Sequence, residues 1–180
     1  MARLEPLKVE NFSPEQKAIY AKVSRGRTDI GGPYSVWLRN PPIAAAAHEL
    51  LSAVRLNGKL DKKLYEILVL TVARRAGVEY AFVVHEPLAL AAGVEPEVIE
   101  AIRTQRKPLF SRPDDALIYQ ATTSLLENVK LPEAIYQALI ERFGLELTIE
   151  IVTVVGTYCL IGTVVNAFEV QSPNGEKPFA

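Results

Sequence analysis

Apolar residues recur along most of this chain at the three-to-four-residue spacing of an amphipathic helix, and glycines and prolines break the pattern into eight segments. Ser13-Pro14-Glu15-Gln16 is a helix start, with a serine N-cap, proline at the first helical position and glutamine at the third. That helix should run to about Val23. Residues 24–36, with Gly26, Gly31, Gly32 and Pro33, are expected to form a loop. Asn40-Pro41-Pro42 opens a second helix that carries Ala44–Leu56 and stops near Asn57-Gly58. Asp61 caps a third, which reaches Ala76 and closes at Gly77. A fourth runs from about Val78 to Gly93, and Glu95–Thr104 is a short fifth. Asp114 or Asp115 opens a sixth that ends near Val129. Pro132 begins a seventh that stops at Gly144, and Thr148 is expected to cap an eighth that ends before Ser172. Ile149–Val155 is the most strand-like run, but its continuation through Val165 favours a helix. The links are short, roughly 2–8 residues, which suits antiparallel helices in one bundle. The expected fold class is all-α, a single domain over 1–180 with its core at 41–171, an N-terminal arm at 1–40 and a tail at 172–180.

Composition narrows the function classes. The 180 residues are 49% hydrophobic and 23% charged, and 20 Lys plus Arg face 21 Asp plus Glu, for a net charge of −1. No excess of positive charge is available to neutralise a phosphate backbone, so nucleic acid is not an expected partner. The opening residues carry charges throughout and no apolar run of a signal peptide. Ile149–Val165 is interrupted by Glu150, Gly156 and Gly162 and reads as a core helix rather than a membrane span, which needs about 20 apolar residues. The one cysteine, Cys159, can form neither an internal disulfide nor a CxxC pair. A cytoplasmic protein is the expectation. The two histidines sit on separate helices, and no His, Asp or Glu grouping has metal-ligand spacing, so no metal is expected. There is no GxGxxG, P-loop or GxSxG.

Chemistry is best sought on the helices flanking Gly77. His85 has Val78, Ala81, Phe82, Leu88, Ala89 and Ala92 as its helical neighbours, all apolar, so it points into the core or a pocket. Glu66, on the preceding helix, shares a face with Lys62, Lys63, Leu70 and Ala73. The two residues lie eleven and eight positions from Gly77, a difference of roughly one turn in an antiparallel hairpin. A carboxylate and an imidazole can then face each other, as a base and the group that orients it. The alternatives are a core histidine bonded to a carbonyl and a surface Glu66–Lys62 pair. His48, among Ala44, Ala45, Leu51 and Ser52, reads as structural. Tyr34 and Trp37 either line a pocket or pack in the core or at a subunit contact.

The run LYEILVLTVARRAGVEYAFVVHEPLALAAGV, residues 64–94, resembles the signature helix pair of the carboxymuconolactone decarboxylase family. Glu66, Ala73-Arg74, Gly77, Glu79-Tyr80, His85 and Ala92-Gly93 carry the likeness. The opening LEPL and SPEQKAIY and the closing Asn166-Ala167-Phe168-Glu169-Val170, followed by a proline-bearing tail, extend it to the family's longer members. The resemblance implies a helical bundle of the alkylhydroperoxidase D-like type, assembled as a trimer or hexamer with pockets near subunit contacts. It implies His85 and Glu66 as the catalytic pair, and Arg74, Tyr80 and Phe82 as candidates to contact the substrate.

Peroxidase relatives carry Cys-x-x-Cys with a histidine four residues after the second cysteine. Placed on His85, those positions are Val78 and Ala81, and neither supplies a thiolate. The resemblance therefore points to a cofactor-independent lyase or isomerase acting on a small anionic ring compound. Loss of CO₂ would leave carbanion character that spreads into a conjugated lactone, and His85 would protonate the carbon. A non-catalytic binding member of the fold is the first alternative. Peroxide chemistry through Cys159 alone is the second, disfavoured by the missing pair. Phe82 stands where longer members often have tryptophan, which changes the shape of any pocket there.

Overall fold

The computed structural model describes residues 3–24 and 31–180. Its helices are α1 (Pro14–Val23), α2 (Tyr34–Trp37), α3 (Pro41–Leu51), α4 (Lys62–Arg75), α5 (Glu79–Ala91), α6 (Pro96–Arg103), α7 (Pro113–Asn128) and α8 (Glu133–Ala167). No strand occurs among the described residues. The start of α1 is a full capping box: Gln16 N–H donates to the Ser13 hydroxyl, and the Ser13 N–H donates back to the Gln16 side chain. Asp61 accepts from the N–H groups of Lys63 and Leu64 at the start of α4.

Helix α4 is the centre of the molecule. Every residue from Lys63 to Ala73 is buried, and the helix packs on α5, α6, α7 and α8. Each of its fully buried aliphatic side chains, Ile67, Leu68, Val69 and Leu70, contributes roughly 1.5–3 kcal/mol relative to exposure. Such all-round burial explains why the charged residues of α4 need partners. Lys63 finds Asp115 of α7 at 2.9 Å and Glu95, just before α6, at 3.0 Å.

Several boundaries differ from the sequence pattern. The expected loop over 24–36 ends early, because Tyr34–Trp37 forms a turn of helix; Gly26 and the rest of 25–30 lie outside the described residues. Helix α3 does not simply stop at Leu56. It passes into a π turn, Ser52–Leu56, closed by a 3.0 Å bond from Asn57 N–H to Ser52 O. Helix α7 begins at Pro113, one residue before Asp114. Thr148 does not cap a helix, and its hydroxyl donates to the Gly144 carbonyl from inside α8. Gly144 does break the run, with φ 76° and ψ 171°, a conformation that glycine reaches without the Cβ penalty. The helix resumes directly after it and ends at Ala167, before Ser172 as expected.

By length and composition α8 is apolar enough to cross a membrane. The break at Gly144 and the burial of Ile151, Val154, Val155, Tyr158, Ile161 and Val165 make it a core helix of the bundle. It approaches the α4–α5 turn closely: a Cβ on Gly162 would stand 2.6 Å from Val78 Cγ2.

Candidate active site

The α4–α5 turn is a Schellman motif. Gly77 takes φ +64°, its N–H bonds Arg74 O, and Val78 N–H reaches back to Ala73 O, which closes one helix and aims the next. The hairpin brings Glu66 and His85 together as their spacing from Gly77 predicts. His85 Nδ1 lies 2.7 Å from Glu66 Oε2, and both residues are buried, 3% and 8% exposed. Glu66 is thus not a surface partner of Lys62.

The pair is part of a longer chain of hydrogen bonds. His85 Nε2 lies 3.1 Å from the Tyr158 hydroxyl, which lies 2.9 Å from the Tyr65 hydroxyl. The rings meet edge to face, His85 on Tyr158 at 5.2 Å between centroids and Tyr158 on Tyr65 at 6.0 Å. Helices α4, α5 and α8 each contribute. An ionised Glu66 holds a proton on Nδ1 and turns the lone pair of Nε2 toward the Tyr158 hydroxyl. Burial pushes the Tyr65 phenol well above its ordinary value of 10.0, with the neighbouring Tyr158 adding to the effect and Arg55 opposing it. Tyr65 therefore stays protonated across the physiological range.

A cavity of about 50 Å³ opens on this chain, lined by His85, Tyr158, Ala81, Tyr80, Tyr34 and Arg55 among others. Beyond Tyr34, Leu51 and Arg55 lies a larger one of about 450 Å³, lined also by Lys22, His48, Glu49 and Ser52. His48 Nδ1 pairs with the Tyr34 hydroxyl at 2.9 Å. Tyr34 and Trp37 are themselves buried and in edge-to-face contact. Tyr34 packs and lines at once.

Of the substrate-contact candidates, only Tyr80 lies beside His85. Arg74 donates to the Arg103 carbonyl and sits 4.6 Å from the Phe179 ring centroid, so the C-terminal tail covers it. Phe82 is fully buried, meets Phe179 edge to face, and has the Arg103 guanidinium over its ring. Neither lines the His85 cavity. Tyr158, Tyr65 and Arg55 were not apparent as site residues. The available signal for Tyr158 was a phenol inside the most apolar run of the chain, where a buried hydroxyl needs a partner. The two thiol positions differ in role: Val78 is buried against Gly162, while Ala81 faces the cavity. Cys159, next to Tyr158, is half-buried, and burial pushes its thiol above 9.0. Among the described residues no group of three or more His, Cys, Asp or Glu side chains is placed to hold a metal ion.

These features define a helical bundle with a buried Glu66–His85–Tyr158–Tyr65 hydrogen-bond chain beside the α4–α5 hairpin. Residues 41–111 match the model of the Carboxymuconolactone decarboxylase family. Among solved structures it is similar to an AhpD-core, uncharacterized peroxidase-related protein of Ralstonia eutropha JMP134, at TM-score 0.78 and 16% identity over 99% of this chain and 94% of that one. It is also similar to the debrominase Bmp8, at TM-score 0.70 and 16% identity over 94% of this chain and 91% of that one. A Cys-to-Ala variant of Bmp8 in complex with 2,3,4-tribromopyrrole aligns at TM-score 0.69, 16% identity and the same coverage. At that identity these likenesses establish the fold. No curated protein matches the chain.

Proposed function

We propose that this protein is a cofactor-independent lyase or isomerase that acts on a small anionic ring compound, with Glu66 and His85 as its acid–base pair. One observation carries the reading: the Glu66–His85–Tyr158 chain, at 2.7 Å and 3.1 Å, ends on a cavity whose thiol position is Ala81. A carboxylate-backed imidazole supplies proton transfer without sulfur or cofactor. In a decarboxylation the bond from carbon to CO₂ breaks and its electron pair enters the conjugated ring system. The acid–base chain then delivers a proton to carbon and regains one from water, so that a carboxylate and a proton become CO₂ and a C–H bond. That a relative of this fold holds a brominated pyrrole supports a small ring as the ligand.

Incubation with carboxymuconolactone-like acids and other ring carboxylates, with CO₂ release measured, tests the proposal. Turnover supports it, and tight binding without turnover favours a non-catalytic binding member. The small volume of the cavity at His85, about 50 Å³, is what keeps that second reading in view. Assembly into a trimer or hexamer is part of the proposal. It is supported by the exposed apolar residues Leu145, Ile149, Val152 and Leu160, which recur along α8 at helical spacing. A cytoplasmic setting, where thiols stay reduced, fits a chain with one cysteine.

A further inference from the structure

Arg55 stands at the wall between two cavities. Tyr34, Leu51 and Arg55 line both the small cavity at His85 and the larger one outside it. The π turn Ser52–Leu56 sets this position, because its wider hydrogen-bonded ring shifts the phase of the residues it contains relative to the α-helix before it. Arg55 is half-buried, and it forms an ion pair with none of the described acids. Its field still reaches the hydroxyl chain, since Arg55 opposes the effect of burial on Tyr65. A partly desolvated cation without a counter-charge is costly unless an anion arrives.

The sizes of the cavities say how such an anion would lie. The outer one, about 450 Å³, is within the roughly 300–1,000 Å³ of ordinary small-molecule sites. The inner one, about 50 Å³, holds a single small polar group or a water or two. The outer lining carries Lys22 and Arg55 against the exposed Glu49, so the balance there is cationic. We propose that Arg55 is the carboxylate-binding residue of this site, with the ring of the ligand in the outer cavity and its carboxylate pointing inward toward Tyr158 and His85. The planar fork of arginine suits a carboxylate bidentately, and Arg74, under Phe179, is not available for that role. The inference rests on reading the His85 cavity as the reacting site, and it names what that site grips.

The protein carries its own reporters. It has two histidines; His48 lines the outer cavity and His85 the inner one. Benzoate is a suitable probe, with benzamide as its uncharged counterpart, and the imidazole C–H signals are followed by NMR. Benzoate should shift both histidines, bind about tenfold or more weakly to Arg55→Gln, and recover partly in Arg55→Lys. Benzamide should be indifferent to Arg55→Gln. Arg55→Lys also covers the case in which Arg55→Gln fails to fold, since bidentate contact is lost while charge is kept: weaker benzoate binding than wild type supports the proposal, and unchanged binding overturns it. Equal benzoate binding to wild type and Arg55→Gln overturns it too, as does absence of benzoate binding to wild type. Shifts at His48 alone that disappear in Lys22→Gln would show a surface cation as the binder and would also overturn it. Arg55-dependent binding with no turnover of any ring acid leaves this inference standing and removes the lyase. Turnover indifferent to Arg55 does the reverse.

Discussion

Replacing Lys63 by methionine removes one cation from the middle of the bundle and leaves Asp115 behind. The Lys63 ammonium is 2.9 Å from Asp115 Oδ2 and 3.0 Å from Glu95 Oε2, and the side chains are 10%, 0% and 38% exposed respectively. The next cation along, Arg112, is 3.7 Å from Asp115 Oδ1. Removing one partner of a buried pair costs about 3–5 kcal/mol, because a charge then stays buried without its counterpart. A domain is stable by only about 5–15 kcal/mol. At about 2–4 °C per kcal/mol for a chain of this size, Tm should fall by about 6–20 °C. Asp115→Ala should cost less, since Lys63 keeps Glu95, and Lys63→Met with Asp115→Leu should recover most of the loss by replacing the pair with packed apolar groups. Burial pulls the Lys63 ammonium down, and the hydrogen bonds to Asp115 and Glu95 outweigh it, so its pKa is raised above 10.5. Its contribution is therefore fully present below pH 10.5 and is lost as pH rises through the folded value. Urea unfolding followed by circular dichroism at neutral pH measures all three variants. A cost below about 1 kcal/mol for Lys63→Met, or a double variant as unstable as the single one, would refute the reasoning. The result bears on the site, because Lys63 lies about one turn before Glu66 on α4 and pins that turn against α6 and α7.

Glu95 gives an acid-side counterpart. Its hydrogen bonds from Lys63 and then Ser111 hold its pKa below 4.5, so its contribution is present above pH 4.5 and lost as pH falls through the folded value; Glu95→Gln should flatten the stability profile below pH 4.5, and an unchanged acid limb would contradict this. The protein should show no thiol-dependent peroxidase turnover, and Cys159→Ser should leave any residual rate unchanged, because burial keeps the Cys159 thiol protonated. Robust peroxide reduction that disappears in Cys159→Ser would overturn that.

What could be read from the sequence was local. The capping box at Ser13 and the Gly77 hairpin are written in consecutive residues, and the meeting of Glu66 with His85 follows from counting outward from one glycine. The parts that escaped depend on distant segments. Helix α8 is apolar nearly all round, so its pattern gives no phase and cannot say that Tyr158 turns toward His85 while Leu160 faces solvent. Arg74 matches a motif position, but the tail places Phe179 over it. Arg55 reaches the cavity through a π turn that no side-chain periodicity announces. The break at Gly144 was legible as a stop, yet the immediate restart was not, since Thr148 resembles a cap by residue type alone.

The central claim is that His85, oriented by Glu66, moves the proton in a reaction that needs no thiol. The most direct measurement is single-turnover CO₂ release from a ring carboxylate that wild-type protein consumes, compared between wild type and His85→Gln. Glutamine keeps polarity and approximate bulk, so the fold should persist by circular dichroism with a modest loss of stability. The account predicts a fall in rate of about 10²-fold or more, the usual contribution of a positioned acid–base group, with Glu66→Gln falling in the same direction. A folded His85→Gln protein that releases CO₂ at the wild-type rate would make His85 a core residue and end the acid–base reading.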